Sequence, residues 1–66
     1  MQIILNGEAY ELDAKSSIAD LCVRLQLEGK RFAVEVNREI IPRGEHATFM
    51  LKEQDHVEIV QAIGGG

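Results

Sequence analysis

The residues best suited to chemistry stand at the end of the sequence, where an apolar run, residues 60–63, is followed by Gly64, Gly65 and Gly66. These three glycines are half of the six in the chain. Glycine loses more conformational freedom on ordering than any other residue, so we expect residues 62–66 to be a flexible tail. The reactive group of this tail is the α-carboxylate of Gly66, which is the candidate functional group.

A carboxylate is a poor electrophile, so sulfur or nitrogen can be attached to it only after activation, for example as an acyl-adenylate. Residues without Cβ pass a narrow channel easily, which suits Gly64 and Gly65 for entry into an activating enzyme. The five residues of the tail extend to about 16 Å at roughly 3.3 Å per residue, enough to enter a neighbour's active site. The alternative is a frayed end or a linker remnant without function.

Length and charge exclude most other classes of function. A chain of 66 residues forms one domain that buries only about 60% of its unfolded surface, which favours a carrier or binding module over an enzyme. The net charge is −4 and no cluster of Lys and Arg occurs, so we expect no nucleic-acid partner. The sequence has no recognisable signal peptide and no apolar run of membrane-spanning length, so we expect a cytoplasmic protein without a membrane partner.

Outside the tail, no set of residues has the spacing of a catalytic or metal site. Cys22 lies on an apolar helical stripe, which indicates a small buried side chain rather than a nucleophile. His46 and His56 have no accompanying cysteine or carboxylate pattern and are expected at the surface. Asp55 and Glu58 are interpreted as solvated charges at a strand edge. We therefore predict no catalytic residue, no bound cofactor and no metal site in this chain.

Asn6-Gly7 is the strongest local structural signal, because this pair favours a two-residue type I′ hairpin turn. The turn connects residues 1–5 with residues 8–12 and sets their register. The predicted opposite pairs are Leu5 with Glu8, Ile3 with Tyr10, and Met1 with Leu12, and five of these six residues are apolar. The other face of this hairpin carries Gln2, Ile4, Ala9 and Glu11.

An amphipathic helix over residues 18–27 is predicted next. Ser17, followed by Asp20, resembles a capping box, and Gly29 is placed to end the helix in the left-handed conformation. The apolar positions of the helix repeat with the spacing of a single stripe: Ile18, Leu21, Cys22 and Leu25.

Three further extended segments follow the helix. Residues 32–36 alternate with Phe32, Val34 and Val36 inward, residues 37–39 form a turn, and residues 40–41 are a short strand ended by Pro42. Residues 43–54 have no clear pattern beyond a helical turn or loop that buries Phe49 and Leu51. Residues 56–60 form the last strand with Val57 and Ile59 inward.

This order favours an α+β fold in which one helix packs across a mixed sheet, the β-grasp arrangement of ubiquitin-like proteins. We expect residues 1–61 to form the folded domain. The helical crossover predicts that the third strand is parallel to its neighbour in the sheet.

Several motifs together resemble one known family. They are Val36-Asn37, Ile41-Pro42-Arg43, Glu45-His46 and residues 55–60, followed by the terminal glycines. In this combination they are similar to the thiamine-biosynthesis sulfur carrier family, ThiS, over nearly the whole length of the chain. One position departs from the family pattern, since Gln54 stands where the family usually has a glycine.

The resemblance implies a β-grasp carrier on which other proteins act. An E1-like adenylyltransferase of the ThiF type would use ATP and magnesium to convert the Gly66 carboxylate into an acyl-adenylate. Sulfur from a cysteine desulfurase, delivered as a persulfide, would then replace AMP to give a Gly66 thiocarboxylate. A thiazole synthase of the ThiG type would receive this sulfur, and Gly64 and Gly65 would let the tail enter its partners' active sites.

A partner-docking patch is predicted from side-chain parity. Ile4 and Val60 fall on the sheet face away from the helix, and together with Ile63 they would form an apolar surface near the tail. The alternative is scattered exposed apolar residues, which are ordinary on protein surfaces.

Three other functions remain open from the sequence. The small subunit of molybdopterin synthase shares the terminal Gly-Gly and the thiocarboxylate, although the internal motifs fit it less well. A ubiquitin-like protein modifier would join Gly66 to a lysine of a target. Finally, the domain could be a passive interaction module.

Overall fold

The computed structural model describes residues 1–61; the predicted tail, residues 62–66, lies outside the described residues. This part of the chain contains five strands, one α-helix and one 3₁₀ helix. In chain order they are β1 (Gln2–Leu5), β2 (Glu8–Glu11), α1 (Ile18–Arg24), β3 (Phe32–Val36), β4 (Glu39–Ile40), the 3₁₀ helix (Arg43–Glu45) and β5 (His56–Gln61).

The five strands form one mixed sheet in the order β2-β1-β5-β3-β4. The last strand lies between the first and the third, parallel to β1 and antiparallel to β3. The single helix packs on one face of this sheet, which confirms the predicted α+β class and β-grasp arrangement. Within residues 1–61 no helix is long and apolar enough to cross a membrane.

The predicted parallel pairing of the third strand is wrong. Both neighbours of β3 in the sheet, β4 and β5, run antiparallel to it. The helical crossover does return the chain to the same sheet, but β3 does not lie directly beside β1, because one strand position separates them. Because β5 fills that place, the parallel pair of the fold is β1 with β5.

The β1-β2 hairpin has the predicted turn and register. Asn6 and Gly7 have φ of 49° and 84°, as a type I′ turn requires, and Ile3 lies opposite Tyr10. Ile3 is fully buried, whereas Glu8 at the same face is exposed beyond the edge of the core. The alternation of apolar residues therefore placed the hairpin correctly on the helix.

The helix begins as predicted but ends earlier. Ser17 accepts a hydrogen bond from the Asp20 backbone N–H at 3.1 Å, and the Asp20 carboxylate accepts one from the Ser17 N–H at 2.9 Å. The predicted end at Gly29 is wrong, because Gln26 takes the left-handed conformation with φ of 59°. The Leu27 N–H then reaches the Cys22 carbonyl at 3.0 Å, a Schellman end that buries Leu27.

The turn after β3 is one residue shorter than predicted. Asn37 and Arg38 both have positive φ, 51° and 71°, so they form a two-residue turn of the same kind as Asn6-Gly7. Glu39, predicted in the turn, is instead the first residue of β4 and pairs with Val36. The sequence did not indicate this turn because its second position holds Arg38, whereas glycine is the residue typical of such turns.

The unassigned segment, residues 43–54, closes the open end of the core. After its 3₁₀ turn, Met50 forms an isolated bridge with Ser17, and the Leu51 N–H donates to the Ser16 carbonyl at 2.9 Å. Leu51 is buried and Phe49 is half-buried, as predicted. The fully buried side chains come from the helix and three strands: Ile3, Ile18, Leu21, Val34 and Val57.

Gln54, the position at which the family usually has glycine, adopts φ of 68°. Its backbone N–H donates to the Gln2 carbonyl at 2.7 Å, which ties the turn before β5 to β1. The left-handed region favours glycine because a Cβ crowds the neighbouring carbonyl. Glutamine therefore holds this turn at an energetic cost.

We predict that Gln54→Gly stabilises the domain. Relief of the left-handed strain, partly offset by the entropy of glycine in the unfolded chain, should contribute about 0.5–1 kcal/mol. In a domain of this size the melting temperature should rise by about 2–6 °C. Lys52→Gly, at a nearby residue without positive φ, is the control and should lower it. A lower melting temperature for Gln54→Gly would contradict the strain argument.

Candidate functional site

β5 carries the chain to the tail, and its backbone is held along its whole length on one side. Five residues of β5, Val57 to Gln61, pair with β3, and the last pair joins Gln61 to Phe32. On the other side, β1 pairs only with His56 and Val57. The tail therefore starts from the end of a central strand, beside the first residue of β3.

The Asn6 side chain extends the support of β5 beyond the end of β1. The Asn6 backbone N–H donates to the Val57 carbonyl at 2.9 Å, and its side-chain Oδ1 accepts from the Ile59 N–H at 2.9 Å. The hairpin turn thus continues the hydrogen bonding that the β1 backbone would have supplied. Sequence reasoning used Asn6 only as a turn residue and missed this second role.

A second asparagine holds the beginning of β5. Asn37 Oδ1 accepts from the His56 N–H at 3.0 Å, and Asn37 Nδ2 donates to the Asp55 carboxylate at 3.1 Å. The other oxygen of that carboxylate accepts from the Lys52 N–H at 2.8 Å. The interpretation of Asp55 as a simple solvated charge is therefore wrong, because it organises the turn that starts β5.

Ile4 and Val60 lie on the face of the sheet opposite the helix, but they are far apart. Ile4 is paired with His56, and Val60 is paired with Ala33. Because Val60 lies four residues after His56 on β5, the two ends of the predicted patch are about 13 Å apart at the usual rise of a strand. Val60 is 61% exposed and Ile4 is half-buried. Ile63 lies outside the described residues, so docking at this face stays a prediction.

Cys22 is buried, as predicted, at the helix face that meets the 3₁₀ segment. Burial raises the pKa of its thiol, and the nearby Arg43 guanidinium opposes part of that rise. A raised pKa leaves less thiolate at neutral pH, which is the opposite of what a nucleophilic cysteine requires. The thiol therefore acts as a small apolar group.

His46 is buried, which corrects the expectation that both histidines lie at the surface; His56 is exposed. The His46 ring stacks on Phe32 with centroids 6.1 Å apart, and its Nε2 lies 3.0 Å from the Ile41 carbonyl oxygen. This stacking and hydrogen bond give the ring a structural role. Among residues 1–61, no three His, Cys, Asp or Glu side chains come together as a set that could hold a metal ion.

Gly64, Gly65 and Gly66 lie outside the described residues, so the described part of the candidate site is β5, the strand that precedes them. Three networks hold this strand: the β3 pairing, the Asn6 side chain and the Asn37-Asp55 turn. These contacts fix the place on the domain surface at which the strand ends.

The chain matches the model of the ThiS family over residues 3–66, which includes the terminal glycines. Among curated relatives, the sulfur carrier protein ThiS of Bacillus subtilis is 42% identical over 63 residues, 94% of this chain and 96% of that protein. The sulfur carrier protein ThiS of Escherichia coli is 29% identical over 66 residues and is covered completely, as is this chain.

Two longer proteins are also similar to this chain. The thiazole synthase of Magnetococcus marinus is 36% identical over 66 residues, which are 100% of this chain but 20% of that protein. The thiazole synthase of Paramagnetospirillum magneticum has the same coverage at 35% identity. This chain thus spans about a fifth of the length of these two relatives.

The fold agrees with a solved structure. The crystal structure of the thiamine biosynthesis protein ThiS from Geobacter metallireducens superposes with a TM-score of 0.84 at 26% identity, and each chain is covered completely. The match of the family model, the similarity to named sulfur carriers and the shared β-grasp fold agree, and the chain therefore belongs to the ThiS family of sulfur carriers in thiamine biosynthesis.

Proposed function

We propose that this chain carries sulfur as a thiocarboxylate on Gly66 and delivers it to a thiazole synthase. The observation that carries the proposal is the extent of the family match, which continues through Gly64, Gly65 and Gly66 to the last residue. A match that includes the terminal glycines supports a functional tail over a linker remnant.

The first step is activation of the carboxylate. In the proposed reaction a Gly66 carboxylate oxygen attacks the α-phosphate of ATP on an E1-like adenylyltransferase, and pyrophosphate leaves. ATP and magnesium belong to that enzyme, not to this chain. Gly64 and Gly65 allow the tail to pass through a narrow entrance, since they have no Cβ to obstruct it.

Sulfur then replaces AMP. The terminal sulfur of a persulfide, charged by a cysteine desulfurase, attacks the acyl carbon of Gly66 and AMP leaves, which gives an acyl disulfide. A thiol reduces the S–S bond and is itself oxidised to a disulfide, and the thiocarboxylate is released. Every acid, base and reductant in this scheme belongs to a partner.

Thiazole synthase is the proposed acceptor of the sulfur. Two relatives that bear this name contain a segment similar to the whole of this chain. That shared segment supports thiazole synthase as the protein to which the carrier transfers its sulfur. The same transfer between separate proteins requires an interface, and the tail would enter it from the end of β5.

Intact mass after activation tests the proposal. We predict that the chain, incubated with the adenylyltransferase, ATP, magnesium, the desulfurase and cysteine, gains the mass difference between sulfur and oxygen at Gly66. A variant that lacks Gly65 and Gly66 is the matched control and should gain nothing while its circular dichroism is unchanged. Larger adducts on lysines of other proteins would favour a protein modifier, and thiazole formation supported by the truncated chain would contradict the proposal.

Sulfur transfer should not require Cys22. Because its thiol is buried and its pKa is raised, we predict that Cys22→Ala still gains one sulfur at Gly66. Loss of the packed sulfur should cost about 1 kcal/mol, so the melting temperature should fall by a few degrees. Fragmentation mass spectra locate the sulfur, and a label on Cys22 in the natural chain would contradict carriage on the tail.

The outer sheet face is the proposed surface for the activating enzyme. We predict that Ile4→Glu, at a half-buried position on this face, lowers the rate of adenylation at least tenfold and leaves the circular dichroism spectrum unchanged. Gln2→Glu adds a negative charge two residues away on the same face and serves as the control. Normal adenylation of Ile4→Glu would exclude this surface.

A further inference from the structure

A shallow groove of about 290 Å³ lies on the helix side of the domain, where α1 meets the 3₁₀ segment. Its large apolar side chains come from α1, the loop after it and the start of β3: Cys22, Val23, Leu27 and Phe32. Val23 is 57% exposed at the rim, although it belongs to the helix that covers the core. The groove therefore leaves apolar surface uncovered on the side opposite Ile4.

The groove carries a cation that pairs with no carboxylate of residues 1–61. Arg43 is exposed, with its guanidinium carbon 5.0 Å above the Phe32 ring and one NH group 3.5 Å from the Lys30 carbonyl. Among residues 1–61 the one ion pair joins the amino terminus to Glu11, far from the groove. The stacking on Phe32 holds the guanidinium at the groove and leaves other N–H donors available to an incoming anion.

The charge around the groove is opposite to that of the protein. Among residues 1–61 the charged residues that line it are Glu28 and Arg43, and two further cations outside the lining, Lys30 and Arg31, follow Glu28 in the loop that leads to Phe32. These four residues sum to +2, while the chain as a whole has a net charge of −4. The groove is thus a local basic site that suits a carboxylate next to an apolar side chain.

The groove is also located beside the start of the tail. Phe32, which forms its floor, is paired with Gln61, the last residue of β5. Any protein that admits the tail into its active site must therefore approach the end of the sheet at which the groove opens. The tail itself is a poor occupant, because fixing five residues, three of them glycine, costs more than burying the single Ile63 side chain returns.

We propose that this groove, lined by Val23, Phe32 and Arg43, is a docking site for the thiazole synthase that receives the tail. The segment that enters it presents an apolar side chain next to an aspartate or glutamate, whose carboxylate binds Arg43. The inference rests on the proposed function, since it names a second contact with the same partner. This contact is separate from the outer sheet face and orients the carrier while the tail is inserted.

Two pairs of charge-matched and polarity-matched variants test the site. Arg43→Glu and Val23→Glu should each weaken binding to thiazole synthase about tenfold in a direct titration. Their controls, Lys52→Glu and Ile40→Glu, introduce the same changes at exposed residues outside the groove and should bind like the natural chain. Circular dichroism of all four should match that of the natural chain, and Arg43→Glu should still be adenylated at Gly66.

The outcomes separate the groove from the proposed function. Natural affinity of both groove variants would overturn the docking site, as would equal weakening by the controls, since net charge would then explain the effect. Failure of the natural chain itself to gain sulfur would instead overturn the proposed function.

A second measurement excludes the tail as occupant. The methyl NMR signals of Val23 and Leu27 should be the same in the full chain and in a chain ending at Gln61, and they should shift when thiazole synthase is added. Signals that move on removal of residues 62–66 would show that the tail itself occupies the groove, and would overturn the assignment to a partner.

Discussion

The position of β5 between β1 and β3 is the constraint on which the rest of the structure depends. Its pairing with β3 over five residues joins the two halves of the sheet, which otherwise connect through α1 with its loops and through residues 41–55. Val57, on this strand, is almost fully buried beneath the helix. Residues 62–66 follow this strand in sequence, so the element that completes the core also fixes the position of Gln61, the residue that precedes them.

Two asparagine turns show how a small domain secures such a strand with few residues. Asn6 and Asn37 both adopt positive φ in tight hairpin turns, and both use their side chains to bond backbone groups of β5. The strands of a short sheet form few backbone hydrogen bonds at their ends, and a side-chain amide supplies the hydrogen bonds that a neighbouring backbone would have made. The strand therefore keeps its position in the sheet without a larger core.

Much of the fold and of the site could be predicted because it depends on local patterns. The Asn6-Gly7 turn, the Ser17-Asp20 cap and the alternation of residues 32–36 are each determined by neighbours in sequence, and each was confirmed. The helix end, the antiparallel pairing of the third strand and the burial of His46 were missed for one reason. Each is decided by long-range packing: Leu27 is drawn into the core, β5 fills the gap beside β1, and Phe32 covers the imidazole.

The sequence by itself determined the local turns and the helix cap, and its glycine-rich end led to the proposal that the Gly66 carboxylate is the reactive group. Its motifs also indicated the family. Only the tertiary structure decided where β5 ends and what surrounds that end, including the Arg43 groove. The physical reason is that reactivity belongs to individual groups, whereas a surface is assembled from residues such as Val23, Phe32 and Arg43 that are distant in the chain and meet only when the core packs.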